Sequence, residues 1–262
     1  MKLFAIGVIF MIVRDNKDTY IFIEQNHHAS ISGEFAFRWK NALFLGKDFR
    51  PSVEYAVCHH DLGWKYVDKH PFWNDELKEP YDFHHFPVAA KTAIYRQGID
   101  EVEEKDRYAA LLCSMHYSRF LRKSNDEFAQ QFVKQEQRRQ SRIIKYLGYL
   151  NERLLNFHFE LLLFADQLSL YVCLHEPGVS EQQVHPFFRQ GIRLPSNTGG
   201  DKLQIKWQEK NTIQLHPFPF EEEFSITVLQ KRVKKNKIAA SGIAPSYANS
   251  SYEEILYRFL PM

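Results

Sequence analysis

Alternating apolar and polar positions predict β-strands at both ends of the chain. Near the N-terminus, residues 9–14 and 19–25 alternate on either side of Asn16-Lys17-Asp18, and strands joined by such a turn form a hairpin. Beyond about Gly191, turn-rich clusters separate four more alternating segments, which are residues 192–194, 203–207, 212–216 and 224–229. We expect an antiparallel sheet in which these C-terminal strands pair with the N-terminal hairpin.

Apolar residues at helical spacing dominate the middle of the chain. Ile31, Phe35 and Trp39 recur every four residues, which gives a helix over residues 30–40 one apolar stripe. A second helix is predicted from about Val53 to Val67, with Ser52 as its cap. Further helical patterns cover residues 87–97, 106–122, 124–147 and 151–174.

These elements predict an α+β protein in three parts. Residues 1–25 form the hairpin, residues 26–178 form a predominantly α-helical bundle, and residues 190–262 form antiparallel strands and a short terminal element.

Residues 68–87, the aromatic loop, break the helical pattern with many Pro, Trp, His and acidic residues. Because long ordered loops inside compact domains are usually functional, we expect a lid or pocket wall, with His84 and His85 as candidate ligand contacts.

Composition and charge narrow the choice of partners and compartment. A formal net charge of +2 provides no field that would attract nucleic acid or an anionic membrane. Cys58, Cys113 and Cys173 stand singly in apolar segments, so we expect neither disulfides nor a cysteine zinc cluster, and a reduced, cytoplasmic protein. No membrane-spanning helix is expected. Residues 3–13 have the length of a signal-peptide core but no cleavage site follows them, and this alternative to a first strand stays open.

Polar residues on predicted apolar helix faces are the candidates for chemistry. Asp166 lies inside the apolar run 161–168, where a buried carboxylate is costly unless a cation or strong donors compensate. His28 shares the apolar stripe of its helix, three residues before Ile31. The adjacent His60 and Asp61 can grip one ion from the same turn. A structural arginine near Asp166 and a hydrogen-bonded core histidine at position 28 are the alternatives to a metal.

Taken in chain order, His28, His60-Asp61 and Asp166 on three predicted helices resemble the HD-domain superfamily of metal-dependent phosphohydrolases. The doublet reads His60-Asp61-Leu62-Gly63, and the late helix reads Ala165-Asp166-Gln167-Leu168-Ser169, similar to an Ala-Asp-x-Leu-Ser segment often seen in that superfamily. Gln-x-x-His-Ala at residues 25–29 and Gly-Trp after the doublet are similar to a branch of uncharacterised bacterial proteins. The resemblance covers roughly residues 20–175 and implies an HD-like helical bundle.

The resemblance also implies a divalent metal site. Its ligands would be His28, His60, Asp61 and Asp166. One ion or two would bind, with Mn, Fe, Mg, Ni and Zn all open. His116, which faces inward one turn beyond Leu112, resembles the additional histidines by which some members hold a second metal or contact phosphate, and so do His85 and His158.

Residues close to the doublet bear on the substrate. Many members have a lysine directly after the glycine of the doublet motif, whereas this chain has Trp64 there and Lys65 one position later. Lys65 is the candidate phosphate contact, beside Asp61 and His116 as candidate catalytic residues, but the shift puts that contact in question. Trp64 and Trp39 would suit a planar or hydrophobic substrate.

Three functional hypotheses follow. The first is a hydrolase that cleaves a phosphate ester or nucleotide with a metal-activated water. The second is an iron oxygenase on the same HD-like scaffold, and the third is a non-catalytic protein that binds a small ligand there. The expected partner is a small-molecule substrate, phosphorylated under the first hypothesis. No nucleic acid or membrane partner is expected, and a homodimer stays open.

Overall fold

The computed structural model describes residues 11–82, 86–148 and 150–262. Within these ranges the α-helices are α1 (Gln25–Phe37), α2 (Arg50–His59), α3 (Val88–Lys105), α4 (Arg107–Leu121), α5 (Glu127–Leu147), α6 (Glu152–Leu174), α7 (Lys235–Ser241) and α8 (Ile243–Ala248). Short 3-10 helices cover Lys47–Phe49, Leu62–Tyr66, Glu181–Gln183 and Pro186–Phe188. The signal-like stretch up to residue 10 and the candidate contacts His84 and His85 lie outside the described residues.

Most strands belong to one large sheet. The strands are β1 (Ile12–Asn16), β2 (Thr19–Ile23), β3 (Trp73–Asn74), β4 (Glu79–Pro80), β5 (Ile192–Arg193), β6 (Lys202–Glu209), β7 (Thr212–His216), β8 (Phe224–Lys234) and β9 (Tyr252–Pro261). Seven of them form a sheet in the order β1-β2-β8-β9-β7-β6-β5, while β3 and β4 form a small hairpin inside the aromatic loop. Strand β2 pairs antiparallel with β8, with Thr19 opposite Lys234, so the N-terminal hairpin joins the C-terminal strands.

The predicted fold class is wrong. About 51% of the protein is helical and the curled seven-stranded sheet is mixed, which is an α/β arrangement and not a predominantly α-helical HD-like bundle with an antiparallel sheet. The parallel pairing arises at β9, which inserts between β7 and β8. Because β7 and β8 run in opposite directions, a strand that is antiparallel to β8 must be parallel to β7. The alternation of buried and exposed residues along β9 is weak, since Tyr257 and Phe259 are its only fully buried side chains.

Helix α1 lies between the sheet and the other helices, and it therefore sets the position of the interior polar residues. On the sheet side, the ring of Phe35 has aromatic neighbours at centroid distances of 5.2–5.9 Å, namely Phe220, Phe224 and Phe259. On its other side α1 packs against α2 and α6. Polar side chains on these two packed faces, such as His28 and Ser32, are therefore buried away from bulk water.

The long helices α4, α5 and α6 begin at side-chain caps, whereas the predicted cap Ser52 lies inside α2, which begins at Arg50. Side-chain oxygens of Asp106, Asp126 and Asn151 accept hydrogen bonds from backbone N–H groups in the first turns of α4, α5 and α6. Helix α3 continues to Lys105, beyond the predicted end at residue 97.

The predicted single helix over residues 53–67 is also wrong. Helix α2 ends at His59, and a 3-10 helix begins at Leu62. His60 and Asp61 therefore lie at the junction between two helical segments, where the backbone of Asp61 leaves the α-helical conformation with φ −111° and ψ 23°.

Helix α6 is long and apolar enough to cross a membrane by length and composition alone. However, 72% of its apolar 18-residue window is buried inside the protein. A buried core helix can have the same length and apolar composition as a membrane-spanning helix. The burial of α6 matters for the site, because it encloses Asp166 completely in protein.

Candidate metal centre

Three histidines and two carboxylates meet in the interior, and each is at most 4% exposed. They come from α1, α4, α6 and the α2 junction, and are His28, His116, Asp166, His60 and Asp61. Two groups have all their ligand atoms within 4.8 Å of one another: His28, His60 and Asp166, and then His60, Asp61 and His116. The protein thus contains buried His and Asp groups that could hold a metal ion, and His60 belongs to both. We call these five residues the cluster.

Glycines allow the elements that carry the cluster to approach one another. A Cβ at Gly33 would lie 2.8 Å from the Cβ of Cys58, so α1 and α2 pack closely only with glycine there. A Cβ at Gly63 would lie 2.2 Å from the carbonyl oxygen of Ile94, and one at Gly98 would lie 2.5 Å from the backbone nitrogen of Gly63. The backbone of α3 therefore packs directly against Gly63.

The hydrogen bonds of His60 set its tautomer. Its Nδ1 lies 2.8 Å from the carbonyl oxygen of Val57, which can only accept, so Nδ1 carries the proton of the neutral ring. Its Nε2 then presents a lone pair and makes no hydrogen bond with the described residues. That atom faces Asp166 Oδ1 at 3.6 Å and Asp61 Oδ2 at 3.7 Å. A nitrogen lone pair that faces two carboxylates is repelled by them unless a proton or a metal cation lies between the nitrogen and the carboxylate oxygens.

His28 is oriented in the same way by Ser169. The Ser169 hydroxyl donates to the backbone carbonyl of His28 at 2.9 Å, so its oxygen accepts from Nδ1 of that ring at 2.7 Å. Nε2 of His28 faces Asp166 Oδ1 at 3.1 Å. A neutral ring with its proton on Nδ1 would place a lone pair 3.1 Å from a carboxylate oxygen, so this contact needs a second proton on the ring or a metal ion.

The charges of the cluster are strongly coupled. Burial lowers the pKa of His60, but the carboxylates of Asp61 and Asp166 outweigh burial and raise it to about 9. Burial also disfavours ionised Asp166, yet the adjacent imidazoles of His28 and His60 hold the pKa of that carboxyl well below its usual range. The pKa of Asp61 is raised by burial, which His60 and His28 offset only in part. The cluster therefore attracts positive charge, which a proton or a divalent cation can supply.

His116 differs from the other two imidazoles. Burial holds its pKa well below the ordinary value, so the ring is neutral. Its Nδ1 has no hydrogen-bond partner in the described ranges, and its ring centroid lies 5.0 Å from that of His60. The next residue, Tyr117, donates from its hydroxyl to Asp61 Oδ1 at 2.9 Å and orients that carboxylate. A neutral imidazole at this place can bind a metal or accept a proton.

Two predicted contacts lie away from the cluster. Lys65 forms an ion pair with Glu101 of α3 at 2.5 Å and lies over the ring of Tyr66, so its ammonium is directed toward α3. His158 uses both ring nitrogens: the Tyr108 hydroxyl donates to Nδ1 at 2.6 Å, and Nε2 donates to the carbonyl oxygen of Leu45 at 2.7 Å. Lys65 and His158 therefore both have partners other than the cluster in this structure.

The two candidate tryptophans are core residues. Trp39 is fully buried against Phe164 and Phe220, between α6 and the sheet. Trp64 is fully buried and contacts Tyr95 and Phe86. Neither presents a ring face to an open site. The remaining candidate, His85, lies outside the described residues.

Sequence reasoning missed several polar residues near these elements. Ser169 and Gln25 belong to the two motifs that carry the resemblance, and Arg119 shares the inner face of its helix with His116, so each had a signal. Gln25 is fully buried, and neither atom of its amide group has a hydrogen-bond partner within the described structure. Asp68 accepts a hydrogen bond from the backbone N–H of Asn26 at 2.9 Å, and burial raises its pKa to about 8. No local pattern marked Asp68.

Comparisons with known proteins place the chain in a family. Residues 11–235 match the family model described as Protein of unknown function (DUF3891). No curated protein and no solved structure matches the chain. All five residues of the cluster lie within the matched range. Because the match extends over most of its length, the chain belongs to the DUF3891 family.

Proposed function

We propose that the protein is a metal-dependent hydrolase of HD type that acts on a phosphate ester or a nucleotide. The observation that supports this best is the pair of Nε2 atoms of His28 and His60, each fixed by a hydrogen bond at Nδ1 and each directed at Asp166. Two imidazoles and a carboxylate are a ligand set that suits Mn, Fe, Ni or Zn. The HD-like order of the ligands along the chain supports the same proposal.

The proposed roles follow from the contacts of each side chain. Nε2 of His28, Nε2 of His60 and the carboxylates of Asp61 and Asp166 would hold the ion. When bound, a divalent ion lowers the pKa of a water molecule toward neutrality and stabilises negative charge on a phosphoryl oxygen. Ser169 and Tyr117 keep their ligands oriented through the hydrogen bonds described above. His116 lies beside His60 with an Nδ1 that has no partner among the described residues, and it is the candidate acceptor for a proton of that water.

A specific observation favours an iron oxygenase as the second candidate. His28, His60 and Asp166 form a group of two histidines and one carboxylate, which is the ligand set of many non-haem iron oxygenases. Asp61 and His116 of the second group could help to hold another ion, but the single free nitrogen of His60 can ligate only one of the two. Iron bound at two equivalents, with oxygen consumption that depends on a small-molecule substrate and no phosphatase activity, would favour this candidate over the hydrolase.

Metal analysis of matched variants tests the site. We expect protein purified without chelators to carry a transition metal at one or two equivalents by elemental analysis, and His60→Gln and Asp166→Asn to lose it. His59→Gln is the control, since His59 is adjacent in sequence but bonds to the Tyr55 carbonyl outside the cluster. Wild-type protein that takes up no transition metal on titration, or His60→Gln protein that retains it, would end the proposal.

Activity separates the enzyme from a ligand-binding protein. Metal-loaded protein should release phosphate from a panel of monoesters, diesters and nucleotides, and Asp61→Asn should abolish that turnover. Metal-loaded protein without turnover in either the phosphatase or the oxygen assay would favour the third hypothesis, a non-catalytic protein that binds a small ligand.

A further inference from the structure

Arg119 of α4 is a cationic side chain at the edge of the cluster. It follows His116 by three residues, so both lie on the same side of the helix. Its Nη2 lies 3.6 Å from Oδ2 of Asp166, and its side chain is only 15% exposed. The guanidinium also lies over the ring of Phe120, with 4.3 Å to the centroid. Arg119 thus adjoins the proposed ligands without belonging to them.

The guanidinium of Arg119 lacks the partners that a buried arginine usually has. A guanidinium carries five N–H donors, yet Arg119 donates no hydrogen bond to any residue in the described ranges, and its Nε is buried without a partner. The 3.6 Å contact with Asp166 is longer than a charge-assisted hydrogen bond. Desolvating a charge without such bonds costs free energy, so an arginine kept in this state indicates a missing partner.

Arg139 shows that the fold does satisfy another largely buried arginine. Its side chain is 13% exposed, and its guanidinium is paired with three carboxylates of α3 and α5, namely Asp100, Glu103 and Glu136. The two arginines have nearly equal exposure but opposite hydrogen bonding. The open donors of Arg119 are therefore a local property of the cluster.

The carboxylate that balances the charge of Arg119 also faces two histidines. Asp166 is its only ion-pair partner among the described residues, and the same carboxylate faces His28 and His60. If Asp166 binds a metal as proposed, the cluster gains positive charge while Arg119 gains no new partner. An anion is then needed beside the guanidinium.

We propose that Arg119 binds a phosphoryl oxygen of the ligand that enters the cluster, and that Lys65 does not. This inference rests on the proposed function, because it takes Asp166 as a metal ligand. The planar fork of a guanidinium matches two oxygens of a phosphoryl group, and its open N–H groups supply the donors. Arg119 therefore selects substrates with a phosphate over uncharged ones.

Titration of metal-loaded protein with inorganic phosphate tests the inference without any turnover. Isothermal titration calorimetry on Arg119→Gln should show phosphate binding weakened about 10- to 100-fold, with metal content unchanged. Arg119→Lys keeps the charge but loses the fork, so its loss should be smaller. Lys65→Gln and Arg122→Gln are the controls, since Lys65 is paired with Glu101 and Arg122 is an exposed cation directly after α4. Both should bind phosphate as the wild type does.

Several results would overturn the inference. Phosphate affinity of Arg119→Gln within twofold of the wild type would do so, and so would loss of metal from this variant, which would mean that Arg119 acts by positioning Asp166. Acetate bound as tightly as phosphate would exclude phosphoryl selection. Should Arg119→Gln fail to fold, Arg119→Lys replaces it in the test, and phosphate affinity of Arg119→Lys equal to that of the wild type would overturn the inference. Failure of the proposed function is seen separately, as wild-type protein that takes up no transition metal.

Discussion

Gly63 and Gly98 pack backbone against backbone, and we expect alanine at position 63 to destabilise the protein. Real Cβ atoms essentially never approach another atom closer than 3.0 Å, but a Cβ on Gly63 would lie 2.2 Å from the carbonyl oxygen of Ile94. The contact must therefore open from 2.2 to at least 3.0 Å. The atoms that the new Cβ meets are backbone atoms of α3, so no flexible side chain can move aside.

The expected cost follows from this rigidity. Overpacking a well-packed interior typically costs about 1–3 kcal/mol, and a clash with helix backbone places Gly63→Ala near the upper end. For a chain of this size, each kcal/mol lowers the melting temperature by about 2–4 °C, so we expect a decrease of about 6–12 °C. Thermal and urea unfolding measure it.

Gly200→Ala is the matched control. A Cβ there would meet only Leu194 Cδ1 at 3.4 Å, and its backbone does not adopt the left-handed conformation. Its melting temperature should stay the same or rise slightly, because alanine restricts the unfolded chain. A Gly63→Ala protein that melts within about 2 °C of the wild type would refute the close packing. Because Gly63 follows Asp61 by two residues, weaker metal binding should accompany the destabilisation.

Three further changes test separate parts of the protein. Tyr117→Phe removes the donor to Asp61 and should weaken metal affinity by about tenfold or more in competition with a chelating dye; unchanged affinity would contradict the orienting role. His158→Phe removes two buried hydrogen bonds and should lower the free energy of unfolding in urea by about 2–4 kcal/mol while metal stoichiometry stays intact. Loss of metal would show that His158 is more than structural. Burial lowers the pKa of Lys91 to about 8, so the folded protein holds this proton less tightly than the unfolded chain. Wild-type stability should therefore rise relative to Lys91→Met between about pH 8 and 10, by on the order of 3 kcal/mol at most, and parallel pH profiles of the two proteins would argue against it.

Some cluster residues can be found in the sequence because they interrupt an apolar pattern, whereas His60 and Asp61 are marked only as an adjacent His-Asp pair. His28 and Asp166 stand on apolar helical stripes, where a polar side chain has no solvent to face. The structure brings both of them together with His60. The apolar stripes do not show which groups a polar side chain will contact, and only the structure shows that Lys65 is paired with Glu101 and Arg119 with Asp166.

Lys65 and Arg119 show why proximity in sequence is a poor guide to contacts. Lys65 follows the doublet closely, but the 3-10 helix that begins at Leu62 directs it toward Glu101. Arg119 lies far from the doublet in sequence, and the packing of α4 against α6 brings it to Asp166. The periodicity of one helix shows which of its faces is buried, but not which residues of another helix that face will contact.

The mixed character of the sheet is not predicted from the sequence for a related reason. Strand pairing depends on contacts between distant segments, and β9 has only two fully buried side chains to mark it. Its neighbours β7 and β8 contain clear alternation, and they were predicted. The inserted strand converts an antiparallel pattern into a mixed sheet, and no property of residues 252–261 alone predicts where they insert.

The position of β9 has a consequence for the order of events during synthesis. Phe35, on the helix that carries His28, rests against Phe259, so one of the earliest helices is completed by a strand made much later. Until residues 252–261 leave the ribosome, the apolar face of that helix has only part of its final cover. Contacts of such long sequence separation form slowly, and the nascent chain must keep this surface from aggregating while it waits.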